Sequence, residues 1–409
     1  MPTTPRDRRA RLSVYAAFSI QGLCFAALVT RVPQIQDAHG LSDGALSLVL
    51  LAVPLVAGVG SVVSEALFRR LGSALVLRVS QPLVCLTIAG AGLTGGSDPA
   101  LYALMALFGL GVGAVDASMN AQAVSVERRY GVSLMTGFYA VWSVAGILGG
   151  LWASLANALD FSLFAGFALT AAAGVAASLA TGRGLRTRDD ERADARDVQN
   201  AARSVPWRPI LVVGTAMAIF YLADSAISNY GAKYLDDELG GADWLAPLGY
   251  VAYQVAMVAS RAAADLAVRS RGPVSVVRIG AAVGLAGMAG VVAAPNAVAA
   301  IVALAVAGLG LSVIAPVTFT AAASADPTGL GVAVARVNVF NYVGFVLGAA
   351  VVGAIAPISS DHGLRLAFVV PTALIVLIFA TARGFAPAPH LSAPSGPSEP
   401  PALSKPSAP

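Results

Sequence analysis

Apolar residues run through this chain in long blocks, and polar residues collect in short strips between them. A block of roughly 20 apolar residues is the length at which a helix crosses the hydrocarbon core of a bilayer. Such blocks fall at 12–35, 43–68, 74–94, 100–124, 134–157 and 161–182, and again at 208–232, 244–267, 273–294, 297–322, 331–356 and 364–383. The pattern predicts twelve transmembrane helices, six on each side of one long polar strip. That strip, Arg183 to Arg208, contains RTRDDERADARD with both signs interleaved, as a solvated connection does. From about Ala386 the chain is dominated by Pro, Ser and Ala, too poor in apolar surface to fold. The expected division is therefore a six-helix bundle at 1–182, a cytoplasmic linker at 183–207, a second six-helix bundle at 208–385 and a disordered cytoplasmic tail at 386–409.

Composition removes the soluble alternatives. The chain is 57% hydrophobic and 12% charged, with a mean hydropathy of +0.75, whereas a soluble domain carries about a quarter charged residues. A net charge of +4 would admit nucleic acid if it formed a stripe. Instead the arginines sit in strips: Arg6, Arg8, Arg9 and Arg11; Arg69, Arg70 and Arg78; Arg128 and Arg129; Arg269, Arg271 and Arg278. If the spans alternate, all of these lie on one side, and the opposite loops carry mainly aspartates. Positive charge stays in the cytoplasm, so both termini are expected there and the protein in the plasma (inner) membrane, with no nucleic-acid partner. The RDRR start reads as an uncleaved first span, because its apolar run is long, is interrupted by Gln21 and lacks a clear small-x-small cleavage site.

Two cysteines inside apolar runs and three scattered histidines offer no metal site, and no cofactor is expected. Gly109-Leu-Gly111-Val-Gly113 lies within an apolar block, where small residues let helices approach. It lacks the strand–turn–helix setting of a dinucleotide loop. With no nucleophile–base set in view, an enzyme is not expected. A faint repeat of about two hundred residues relates GLGVGAVDASMNAQ to GLGLSVIAPVTFTA, and GILGG to GFVLGA. Duplicated halves are characteristic of secondary transporters, whose solute sites lie at the interface between repeats.

Ionisable residues inside hydrocarbon are costly and therefore informative. Asp116 lies deep in the fourth span and Asp224 in the seventh; both are candidates for proton coupling. Asn120 follows Asp116 by one turn and shares its face. Candidate solute-binding residues are Gln21, Arg31, Asn120, Tyr139, Trp142, Asn229, Gln254, Asn338 and Asn341. Arg336, close to the cytoplasmic end of its span, is a candidate for gating. Lys233 is expected to snorkel to the interface.

The 6+6 plan over residues 12–383 resembles the major facilitator superfamily. The superfamily's basic loop after the second span has a degenerate counterpart in EALFRRLGSALVLR, where Arg69 stands in place of an acid. The stretch SRAAADLAVRSRG after the eighth span keeps Arg261, Asp265, Arg269 and Gly272, a resemblance that implies gating roles for Arg261 and Asp265, which stand one turn apart. RVPQIQDAHGLSDGALS and VDASMNAQAVSVERRYGVSLMTGFYAVWSVAGILGG are similar to a bacterial branch related to fucose-permease-type sugar permeases. That resemblance implies an all-α membrane fold of two pseudo-two-fold-related bundles, with proton movement coupled to solute movement through Asp116. Tyr139 stands where members of the branch often have His. The expectation is a proton-coupled secondary transporter of a small polar solute such as a sugar, for which a monomer suffices. Two alternatives are proton-antiport efflux of amphipathic compounds and a transporter-like sensor that binds solute without moving it.

Overall fold

The computed structural model describes residues 4–96, 98–131, 134–188, 205–325, 332–358 and 362–386. It is nearly all-helical. The first half comprises α1 (Pro5–Val29), a short α2 (Val32–His39), α3 (Asp43–Leu71), α4 (Ser73–Ala91), α5 (Asp98–Tyr130), α6 (Met135–Ala158) and α7 (Leu163–Thr181). The second comprises α8 (Trp207–Lys233), α9 (Ala246–Arg271), α10 (Pro273–Ala293), α11 (Ala297–Leu311), α12 (Ile314–Ser324), α13 (Val332–Ile355) and α14 (Gly363–Thr381).

Among the described residues, eleven helices are long and apolar enough to cross a membrane. The eighth predicted span, α9, is not among them despite its 26 residues. At 1.5 Å per residue it reaches about 39 Å, ample for a bilayer. Its shortfall is polarity: Tyr250, Tyr253, Gln254 and Arg261 occupy one stretch of it, and all but Tyr250 and Tyr253 line the central cavity described below.

Two predicted spans are broken. The block at 12–35 divides at Thr30–Arg31, where α1 ends and α2 begins. Pro33 has no N–H to offer the carbonyl of Val29, and its ring crowds that carbonyl. The Thr30 hydroxyl donates back to Ala26 O at 2.6 Å, closing the last turn. The block at 297–322 divides at Ser312–Val313, one turn before Pro316, for the same reason.

Helix approach relies on missing side chains. A Cβ at Gly113 would overlap the carbonyl oxygen of Ala57, so α3 and α5 touch backbone to backbone. Gly310 stands against the backbone of Gly284 in the same manner, joining α10 to α11. Such close approach, rather than apolar burial, favours helix association in lipid.

One apolar core gathers buried residues between Ala10 and Leu185, and another those between Val205 and Phe385. Val32, Leu46 and Leu50 of the first half join the second core. The start of α1 meets the end of α7 through Ser13 Oγ, which donates to Thr181 O at 2.6 Å. The start of α8 meets the end of the last span, where Val212 packs on Gly384. We call this the terminal end and its opposite the distal end. Side-chain ties join the halves distally. Ser154 Oγ donates to Trp244 O (2.6 Å) and Asn157 Nδ2 to Asp243 O (3.0 Å). Ser47 abuts Gly353. Lys233, 3% exposed, reaches from α8 to Asp43 at 3.1 Å and to Gln36, while also pairing with Asp237 on its own π-helical turn. The lysine expected to snorkel is thus a buried tie between halves.

The linker and tail fall mostly on residues 189–204 and 387–409, outside the described residues. The described flank of the linker is anchored: buried Gln122 donates to Arg186 O and to Ser73 Oγ, and accepts from Arg186 N.

Candidate functional site

Between the halves lies a cavity of about 190 Å³. It is smaller than the roughly 300–1,000 Å³ of sites that take drug-sized ligands. Helix α5 presents Val112, Asp116 and Asn120 to it at four-residue spacing, one face of an α-helix. The Asp116 carboxylate accepts no hydrogen bond and meets no cation within ion-pair distance among the described residues. Asn120 is held in place: its Nδ2 donates to Asp116 O at 2.9 Å, and its Oδ1 accepts from the Tyr139 hydroxyl at 3.1 Å. Tyr139 in turn stands edge-on to Phe18. Trp142, on the same helix α6, tilts against Phe25, which reaches Phe345 of the second half.

Helix α8 supplies Tyr221, Asp224 and Asn229. Asp224 is 9% exposed, and its Oδ1 accepts from the hydroxyl of Tyr253 at 2.9 Å. Asn229 Nδ2 donates to Ser225 O at 2.9 Å. Helix α9 supplies Gln254 and Arg261. Gln254 Nε2 donates to the Tyr250 hydroxyl at 2.9 Å. Arg261 Nη1 reaches across to Ser143 Oγ at 3.4 Å, and its Nε has no acceptor. Gln21 and Gln254 each retain a buried side-chain oxygen with no donor. A buried acceptor left unpaired costs about 1–3 kcal/mol, so both are placed to receive donors from a solute or water.

Asp116, Asp224, Gln21, Asn120, Tyr139, Trp142, Asn229, Gln254 and Asn341 therefore converge on one cavity, as does Arg261, which was expected near a gate. Three expected residues are elsewhere. Arg31 lies in a separate distal recess, its Nη2 donating to Phe161 O at 3.1 Å and its guanidinium 5.6 Å from the Phe167 ring centre. The break after Thr30 turns it away from the centre. Arg336 donates to Val205 O at 2.7 Å and lies 4.2 Å from the centre of the Trp207 ring, securing the entry to α8. Asn338 accepts from Asn341 at 3.3 Å without lining the cavity itself. The side chain of Asp265 lies outside the described residues. Sequence reasoning passed over Tyr221, Tyr253 and Ser143. The low hydropathy of the eighth block was the signal for Tyr253, since a span that gives up apolar surface must have a polar partner for it.

The family model of the Major Facilitator Superfamily matches residues 14–331. The chain belongs to that superfamily. The superfamily is one of transporters, not enzymes, and the protein is a multi-pass membrane protein of this type. An uncharacterised MFS-type transporter of Yersinia pestis is 28% identical over 91% of this chain and 95% of its own. The membrane protein MosC of Rhizobium meliloti is 26% identical over 91% and 90%. Among solved structures, the D-xylose-proton symporter superposes with a TM-score of 0.69 at 14% identity, covering 92% of this chain and 97% of that one. The nucleoside transporter NupG gives 0.68 at 12% identity over 93% and 99%. FucP in its outward conformation gives 0.62 at 14% over 92% and 98%. At such identities these structures share the fold.

Proposed function

We propose that this superfamily transporter is a proton-coupled secondary carrier of a small solute with a hydrogen-bonding head such as a sugar, working by alternating access in the plasma membrane with both termini cytoplasmic. Residues 1–182 and 208–385 are the two bundles that rock about the central cavity. The observation that carries this reading is the placement of two carboxylates, Asp116 from one half and Asp224 from the other, in one cavity with Arg261. In a site that must close and exclude water, an ionised carboxylate is expensive. Adding a proton to Asp116 lowers the cost of closure, and proton release drives reopening. The unpaired amide oxygens of Gln21 and Gln254 and the Asn120–Tyr139 pair supply directional partners for hydroxyl groups.

The fucose-permease-like branch remains part of this proposal, supported by the RVPQIQDAHG and VDASMNAQ segments. The largely apolar wall of the same cavity favours a second reading, proton-exchange efflux of amphipathic compounds. Reconstitution decides. With an inward proton gradient, wild-type proteoliposomes should accumulate a member of a pentose and hexose panel. Asp116→Asn should keep solute counterflow and lose gradient-driven accumulation. Full accumulation by Asp116→Asn overturns the coupling role, and movement of amphipathic cations against the gradient, with no sugar flux, transfers the assignment to efflux. Ligand binding without flux makes the protein a sensor.

A further inference from the structure

The central cavity has an apolar stretch of wall that offers a bare sugar no hydrogen-bonding partner. From the polar centre it extends between α1, α3 and α5, toward the distal end, and its side chains there are aliphatic, aromatic or thioether, among them Leu46, Val49, Val53, Ala57, Met105 and Phe108. These residues belong to one half alone.

The second half shows that this space is not a necessary product of the bundle. Gly72 and Gly272 end α3 and α9 with matching backbone angles, φ 80° and ψ 152° against φ 76° and ψ 157°. That sets a correspondence of two hundred positions, pairing Val53 with Tyr253 and Ala57 with Met257. Backbone contacts support the same register. The Val53 carbonyl faces Gly109 of the fourth span, and the Tyr253 carbonyl faces Gly308 of the tenth. Where the second half carries a tyrosine 0% exposed and a methionine 2% exposed, the first half carries valine and alanine. Two large side chains occupy the position in one repeat, Met257 itself forming part of the cavity wall, and two small ones stand there in the other. Apolar voids stay dry and forfeit contacts on every wall, so an open lobe joined to a binding centre is suited to an apolar group.

We infer that the solute is amphipathic, with a hydrogen-bonding head at the amide–carboxylate centre and an aryl or short alkyl arm in the lobe bounded by Val53 and Ala57. This rests on the central cavity being the solute site. Val53 and Ala57 are then the specificity-determining positions for the arm.

The test uses the full-length protein in nanodiscs and tryptophan-fluorescence titration, Trp142 being in the cavity wall. Four probes form two matched pairs: methyl and phenyl β-D-xyloside, and tetramethylammonium and benzyltrimethylammonium. Within a pair, the aryl probe should bind wild type on the order of tenfold more tightly, the scale on which apolar pockets discriminate. Val53→Tyr and Ala57→Met, which install the second half's residues, should each drive that ratio toward one. The ratio is read within one preparation, so partial loss of folded protein cancels, and either variant decides if the other does not fold. A preference confined to the ammonium pair but lost in the variants supports the lobe while refuting the sugar head. Equal affinities within a pair that binds, or a preference that survives both variants, overturns the inference and leaves the central site standing. Silence from all four probes counts against both.

Discussion

Replacing Lys233 by methionine should loosen the distal end of the protein. The side chain keeps its length and apolar stem but loses the ammonium that joins Asp43 and Gln36 of the first half to Asp237 beside it. A unit charge pair at the 3.1 Å between Lys233 and Asp43 is worth about 1.3 kcal/mol in water and about 5 kcal/mol at an effective dielectric constant of 20. The lysine side chain is 4% exposed, but Asp43 and Asp237 are 51% and 46% exposed, so solvent screens both pairs and pulls the value toward the lower bound. Burial of the ammonium also costs desolvation, which the ties offset. The cross-half share is therefore about 1–2 kcal/mol, a shift of roughly 5- to 30-fold in the ratio of distal-closed to distal-open forms. Ser47 provides the reporter, since it is buried against Gly353 at the same closure. Cys24 and Cys85, the chain's two native thiols, are 1% and 0% exposed and contribute little background. A membrane-impermeant maleimide should label Ser47→Cys from the distal side about 5- to 30-fold faster with Lys233→Met than without it. Asp43→Asn should reproduce part of the increase, and the double variant should fall short of the sum because the two residues share one interaction. An unchanged labelling rate in Lys233→Met refutes the reasoning.

Gly113→Ala places a methyl group on the Ala57 carbonyl, so α3 and α5 must separate; overpacking of this kind costs about 1–3 kcal/mol and should appear as a lower melting temperature in detergent. Arg336→Ala loses a hydrogen bond to Val205 O and the stack on Trp207; a charged hydrogen bond alone contributes about 1.5–3 kcal/mol, and the same melting assay should register its loss. Cys24 and Cys85 should react with a thiol-sensitive dye only as the protein unfolds, so dye fluorescence and loss of the native size-exclusion peak should rise together; reaction at low temperature contradicts the burial. A solute at a hundred times its dissociation constant should stabilise the protein by roughly 2.7 kcal/mol, and Gln254→Leu should weaken that stabilisation by removing a buried acceptor that lacks a protein donor.

Span positions were legible because lipid imposes a length and a composition on any helix that crosses it. Their interruptions were harder to read. Pro33 and Pro316 sit in breaks, yet Pro54, Pro82 and Pro371 lie inside continuous helices, so proline identity alone does not locate a break. Depth misled the reading of cations. The resemblance of SRAAADLAVRSRG to a basic loop associates Arg261 with a gate, but α9 continues to Arg271 and leaves Arg261 more than two turns inside. Lys233 looked like an interfacial lysine because its partners, Gln36 and Asp43, are nearly two hundred residues away. Carboxylates were better guides, since Asp116 and Asp224 have no nearby sequence partner to explain them.

The repeat helps explain why these particular residues matter. A duplicated half folds by the same helix approaches, so positions equivalent by two hundred residues should carry similar side chains wherever packing alone governs. Gly72 and Gly272 do, as each must adopt a positive φ to leave its helix. The cavity is where equivalence fails. Asp116 is answered by Ala315, next to the Pro316 that breaks its span where α5 runs unbroken, and Val53 by Tyr253, whose hydroxyl engages Asp224. The second half thus uses a tyrosine both to fill a space and to hold a carboxylate, whereas the first leaves its carboxylate unpaired beside open apolar volume. A solute bound there meets the unpaired acid and the open lobe on one side and the satisfied acid with Arg261 on the other. Proton transfer and solute recognition are then expected to centre on the first half, which predicts that Asp116→Asn impairs gradient-driven accumulation more severely than Asp224→Asn; equal or reversed severity would place the coupling in the Tyr253-held carboxylate instead.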